Sequence, residues 1–217
     1  MLRIEDVFEI RIPEHFGVNE YGDDFNDSID DVLRQLDRGI DYAYGASQFV
    51  LYSFDSDIVI KLPFNGMYCW DNDENDEVFR PFQLVDNYCE RALELYDQAI
   101  DDGFGEFFGK MERVGFTLDG VPIYTQEKII TENDTRVDKD EVTDSWDKAS
   151  NLKDNIKISL SIHWVAKAID FYGEDKVSDF LIYIKKNHMN EDLHTNNYGY
   201  RKSDGAPVLL DWAGFLD

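Results

Sequence analysis

Apolar residues at Ile29, Val32, Leu33 and Leu36 recur at helical spacing behind Asn26, Asp27 and Ser28, whose short polar side chains suit a helix start, so the pattern predicts a helix over residues 26–36. Beyond Gly39 the texture changes to short β-branched and aromatic runs over 48–54 and 57–62, separated by Phe54-Asp55-Ser56-Asp57, which predicts a β-hairpin. The acidic tract 71–77 (DNDENDE) reads as a solvated loop. Over 81–100, Val85, Cys89, Ala92, Tyr96 and Ala99 follow one another at intervals of 4, 3, 4 and 3, winding a single stripe along a second helix. Segments 109–116 and 121–130 flank Leu118-Asp119-Gly120 and predict paired strands. The polar stretch 131–150 reads as a connector with a short helix around Trp146. Helices over 155–172, ended by Gly173, and 175–187 follow, and the chain closes with strands over 197–202 and 206–212 joined through Ser203-Asp204-Gly205. The order predicts an α+β protein with a sheet-rich N-terminal lobe over 1–130 and a helical C-terminal lobe over 131–217.

The composition sets bounds on what such a chain does. With 217 residues, 43% hydrophobic and 14% aromatic, it can bury one substantial core or two small ones. Its 46 Asp+Glu against 21 Lys+Arg give a net charge of -25, which repels a phosphate backbone or an anionic membrane and argues against either as a partner. Cys69 and Cys89 make no disulfide framework, and with His15, His163, His188 and His194 they match no zinc-ligand spacing, so a reducing compartment and no structural metal are expected. Residues 1–13 mix charged with apolar positions and lack a signal-peptide core, and no run approaches the ~18 apolar residues of a membrane span. A cytoplasmic protein is the expectation.

The stretch richest in chemistry is Asn190-Glu191-Asp192-Leu193-His194-Thr195-Asn196-Asn197, followed by the two short strands and Leu209-Leu210-Asp211-Trp212-Ala213-Gly214. It resembles the catalytic and metal-binding loops of the protein-kinase-like superfamily, in the D-L-H-x-x-N form shared by small-molecule kinases and several phage-encoded protein kinases. The resemblance implies Asp192 as catalytic base, Asn197 and Asp211 as magnesium ligands, and Asp-Trp-Ala-Gly in place of D-F-G. Such chemistry asks for positioning: a carboxylate takes the hydroxyl proton while an amide oxygen and a second carboxylate hold Mg²⁺ across the phosphates of ATP. Asp192 and Asn197 are close enough in sequence for one loop to present both, and a tight hairpin can return Asp211 beside them.

The same resemblance implies a strand lysine for the α- and β-phosphates, matched by Lys61 in Asp57-Ile58-Val59-Ile60-Lys61, and a helix glutamate to orient it. Glu90 and Glu94 compete for that role, and Glu90 lies nearer the apolar stripe. The turn Tyr44-Gly45-Ala46-Ser47-Gln48-Phe49 stands where a phosphate-covering loop belongs, with Gly45 alone of the usual glycines and Ser47 beside it. Backbone groups of Glu127, Lys128 and Ile129 fall at the implied adenine hinge. His194 reads as structural, packing or hydrogen-bonding inside its loop, and Trp146 and Trp164 read as packing residues. No G-x-S-x-G, P-loop lysine motif or H-E-x-x-H is present, so hydrolase, P-loop and zinc-protease chemistry lack support.

Two departures matter. Asn190 stands where many eukaryotic-type kinases place His, and only six residues follow Asp211, without the helices that form a peptide-docking platform. Two functions therefore stand side by side. One is an ATP- and Mg²⁺-dependent phosphotransferase resembling a minimal phage-encoded serine/threonine protein kinase, acting on a protein hydroxyl. The other is a kinase-fold acidic binding protein whose catalysis is dispensable and which inhibits a basic host protein by imitating nucleic-acid charge. A small-molecule kinase is a third possibility.

Overall fold

Alternation of large apolar with polar or smaller residues in Gln48–Tyr52 (β3) and Ile58–Pro63 (β4) produces the expected hairpin, and in the computed structural model it sits inside a five-stranded antiparallel sheet. The structure describes residues 3–19, 27–36, 39–45, 47–82, 88–138, 144–191 and 193–213. It is a mixed α+β chain that divides into two compact units. One comprises residues 1–93 and 111–127, the other 94–110 and 128–217.

In the first unit the sheet runs β2-β3-β4-β8-β7, with β2 at Asp41–Tyr44, β7 at Met111–Phe116 and β8 at Pro122–Glu127. Because side chains alternate across a strand, Phe49, Leu51, Ile60, Leu62 and Ile123 share one face. They join a core with Val7, Ile10, Phe16, Val18, Ile29 and Val32, drawn from α1 (Ile4–Phe8), β1 (Gly17–Asn19), α2 (Asp27–Leu33) and the chain between them. Complete burial of side chains of this size contributes ~1.5–3 kcal/mol each. The opposite face carries Gln48, Lys61 and Tyr124, and Cys89 at the start of α3 (Tyr88–Asp101) reaches it, its Sγ lying 3.3 Å from Gln48 Oε1.

The acidic tract is solvated, with residues 72–77 exposed, but it is more than a loop. It forms the end of a hairpin between β5 (Gly66–Asp71) and β6 (Asp76–Pro81), and this hairpin joins β1 in a three-stranded sheet of order β1-β5-β6. Asp71 makes the turn: its Oδ1 accepts the amides of Asp73 and Glu74 at 2.9 and 3.3 Å, which holds its carboxyl below the usual range. Of the helix expected over 81–100 the described part is Tyr88–Asp101; Pro81 belongs to β6, and residues 83–87, Val85 among them, lie outside the described residues.

The second unit holds the sheet β11-β10-β9, with β9 at Ile129–Thr131, β10 at Tyr198–Arg201 and β11 at Pro207–Leu209. Three helices accompany it: α4 (Trp146–Ile156), α5 (Ile162–Tyr172) and α6 (Glu174–Lys186). The single helix expected over 155–172 is two. Lys157, at φ 59°, closes α4 in the left-handed region, and Ser161 starts α5 by accepting the Trp164 amide on its hydroxyl at 2.9 Å. Trp164, Phe180, Leu181 and Ile184 are fully buried with Phe107, Tyr198 and Val208. At Gly199 a Cβ would collide with the Ile130 carbonyl of β9, so only glycine permits this strand approach. No helix among the described residues is long and apolar enough to cross a membrane.

Candidate functional site

Lys61 lies on the central strand of the five-stranded sheet, opposite Val50 on β3 and Tyr124 on β8. It is 4% exposed, and among the described residues its ammonium has no hydrogen-bond or ion-pair partner. An isolated buried charge is costly unless something pairs with it. A carboxylate reaches this face from Glu90, in the first turn of α3. Tyr124, the cross-strand neighbour of Lys61, donates its hydroxyl to Glu90 Oε2, and Arg113 on β7 donates through Nη1 to both carboxylate oxygens at 2.9 and 3.1 Å. Arg113 is paired with Tyr124 in the sheet register. The helix stripe thus turns Glu90 onto the sheet, whereas Glu94, four residues on, is exposed.

Gly45 and Ser47 close the β2–β3 turn: the Gly45 amide donates to Gln48 O at 3.0 Å, and Ser47 O accepts from the Phe64 amide at 3.0 Å. A Cβ at Gly45 would meet nothing within 4 Å, so folding alone does not demand glycine there. Ala46 lies outside the described residues. Glu127 ends β8, where it is paired with Ile58, and Ile129 opens β9 opposite Arg201; the boundary between the two units falls between Glu127 and Lys128.

In the second unit the closing hairpin brings two predicted ligands together. The Asn197 carbonyl accepts the amides of Leu210 at 2.8 Å and Asp211 at 3.1 Å, so these residues stand side by side where β10 begins and β11 has ended. The Asn197 amide donates to His194 O at 2.8 Å, and exposed His194 accepts the Asn196 amide on Nδ1, which fits the expected role inside the loop. Next to Asp211, Trp212 is 1% exposed and packs edge-on against Phe108, with ring centroids 4.9 Å apart. The anchored indole fixes the backbone from which the carboxylate projects. An amide oxygen and a carboxylate are hard donors of the kind Mg²⁺ takes, with water and phosphate oxygens completing six positions. Among the described residues no three His, Cys, Asp or Glu side chains gather as a metal site of their own. Asp192 lies outside the described residues, between exposed Glu191 and buried Leu193.

Behind this hairpin stands a polar cluster that the sequence pattern did not reveal. Glu132, 1% exposed, accepts from Ser161 Oγ at 2.7 Å and from the Tyr200 hydroxyl at 2.7 Å, and His163 Nδ1 lies 3.2 Å from its Oε1 and 2.9 Å from the Tyr200 oxygen. Both hydroxyls donate to Glu132, and His163 Nε2 is buried with no hydrogen-bond partner among the described residues. The Glu132 amide also donates to Tyr198 O at 2.8 Å, and the Tyr198 hydroxyl, raised in pKa mainly by burial, accepts the Ser161 amide at 3.1 Å. This network ties the end of β9, the start of α5 and strand β10 into one support for Asn197. Glu132 falls in the charged stretch that read as a connector, and nothing in its neighbours' polarity marked it as buried.

No family model matches the chain, and no curated protein or solved structure was found to be significantly similar to it.

Proposed function

We propose that the chain is an ATP- and Mg²⁺-dependent phosphotransferase with a two-lobed, protein-kinase-like arrangement, transferring the γ-phosphoryl group to a protein hydroxyl. One observation supports the reading most: a strand lysine, Lys61, 4% exposed and without a counter-charge among the described residues, on the sheet face to which α3 delivers Glu90. Such an ammonium is suited to an anionic ligand that arrives from solution, and nucleotide phosphates are anions of that kind. The adjacent backbones of Asn197 and Asp211 support it independently, since they can present an amide oxygen and a carboxylate to one Mg²⁺.

In this reading Lys61 holds the α- and β-phosphates, Asn197 and Asp211 hold the metal, and Asp192 accepts the hydroxyl proton. Gly45 and Ser47 cover the phosphates, and the backbone of Glu127 to Ile129 meets the adenine. The test uses γ-labelled ATP with Mg²⁺ and a cell lysate as acceptor mixture. Wild type incorporates label into itself or a lysate protein, and Asp192→Asn retains nucleotide binding with transfer reduced by about 10²-fold or more. Equal incorporation by the two proteins would remove the catalytic assignment.

A further inference from the structure

We propose that the outer edge of β6 is a docking site for an extended, arginine- or lysine-rich segment of a partner protein, which adds as a fourth strand to the β1-β5-β6 sheet. This inference shares no residue with the phosphotransfer reading and stands apart from it.

Among the described residues β6 is bonded to β5 along one side only. In a strand alternate residues turn their N–H and C=O to opposite sides, so about half of this strand's backbone groups face outward. Beyond the ladder with β5, the only backbone hydrogen bond of Asp76–Pro81 among the described residues is the local one from the Glu77 amide to Asp76 Oδ1. Open edges are usually blocked by a lysine, a central proline or a bulge. Here the register from Gly66↔Pro81 to Asp71↔Asp76 is unbroken, proline stands only at the far end, and the one cation, Arg80, is directed 3.4 Å from Asp71 on the neighbouring strand. The edge is regular, and no described strand pairs with its outer side.

Charge selects the occupant. Asp71, Asp73, Glu74, Asp76 and Glu77 stand against Arg80 alone in this hairpin, within a chain of net charge -25. A second copy of the chain would bring an equally acidic edge against this one, and nucleic acid would bring phosphates; both are opposed by like charge. A basic strand is attracted. Trp70, 53% exposed and opposite Glu77 in the register, adds a specific contact: an arginine beside β6 can lay its guanidinium on the indole while pairing with the Glu77 carboxylate. Main-chain pairing supplies the binding mode, and alternate side chains supply the preference for basic residues.

The test titrates the 217-residue chain with a capped peptide of alternating Arg and Val, about ten residues long, followed by calorimetry and Trp fluorescence at low and high salt. Binding is expected at low salt and weakens by about tenfold or more at high salt. The same peptide with alternate amides N-methylated keeps its charge and loses the ladder, so its affinity is expected to fall about tenfold or more. The double variant Asp76→Asn/Glu77→Lys, at two exposed positions and with the Oδ1 acceptor kept, is expected to lose binding to the same extent without a change in melting temperature. No binding of the parent peptide, equal binding of the N-methylated peptide, or equal binding by the double variant would each overturn the proposal. So would sedimentation showing that wild type self-associates and the double variant does not, because the occupant would then be a second copy.

Discussion

Lys61→Met separates what the buried lysine does for the fold from what it does for a ligand. Methionine keeps the unbranched apolar stem and fills nearly the same space, so the substitution removes the ammonium with little change in packing. At 4% exposure and without a partner among the described residues, that ammonium burdens the free protein. Polar groups buried without compensation cost ~1–3 kcal/mol in mutational series. Because the tip of a lysine reaches toward solvent where it can, a gain of about 1–2 kcal/mol is expected for the variant, or roughly 2–8 °C in Tm for a chain of this length. Ligand response should move the other way. Saturating Mg-ATP at about 100 times Kd stabilises a native-only site by ~2.7 kcal/mol, and the variant should lose most of that increment. Thermal melts of both proteins with and without Mg-ATP read both effects. A variant destabilised by more than about 1 kcal/mol would show that Lys61 already has a counter-charge. An ATP-induced shift as large as wild type would show that it is no phosphate ligand.

The remaining predictions concern the second unit. Glu132→Gln places an amide NH₂ against the donors Ser161 Oγ and Tyr200 OH and beside His163 Nδ1, so the urea midpoint should fall by the equivalent of ~2–4 kcal/mol with an unchanged slope, and a double-mutant cycle with Tyr200→Phe should give a coupling above ~1 kcal/mol. A loss below ~0.5 kcal/mol would mean the network does not hold the hairpin. The Tyr183 hydroxyl is pushed up to about 12, first by burial and then by the Asp102 carboxylate. Below the ordinary tyrosine value near 10 both folded and unfolded states keep the proton. Between about 10 and about 12 the unfolded state ionises first, so stability falls over that window, and Tyr183→Phe should flatten this part of a melting-temperature profile against pH. An identical profile for the variant would exclude Tyr183 as the source.

Local chemistry made much of the fold legible before any coordinates. The alternation in 48–62 and 109–130, the helical stripe through Cys89, Ala92 and Tyr96, and the Ser203-Asp204-Gly205 turn each specify an element through neighbours in sequence, and each is found. The hairpin joining Asn197 to Asp211 was legible for the same reason: an apolar Val208-Leu209-Leu210 run after a tight turn has little choice but to pair back. What escaped was decided at a distance. Residues 66–81 lack a clean alternation because both faces of that hairpin stay half-exposed, so its acidic turn outweighed its strands. The break at Lys157 depends on a left-handed residue that no glycine advertises.

Glu132 and Arg113 show the same limit at the candidate site. A carboxylate in a charged stretch is buried only because Ser161, His163 and Tyr200 converge from two later elements to satisfy it. The partner of Glu90 that the kinase resemblance implied was Lys61, yet Arg113 and Tyr124 hold that carboxylate in this structure. The guanidinium is a competitor of the ammonium for one acid: it offers a fork of donors to both oxygens, whereas lysine offers a point charge. If a nucleotide is to draw Glu90 toward Lys61, it must supply at least what the Arg113 fork gives up, and at a partly exposed ion pair that is ~1 kcal/mol or less. The phosphotransferase proposed above therefore requires that phosphates brought against Lys61 supply more than that.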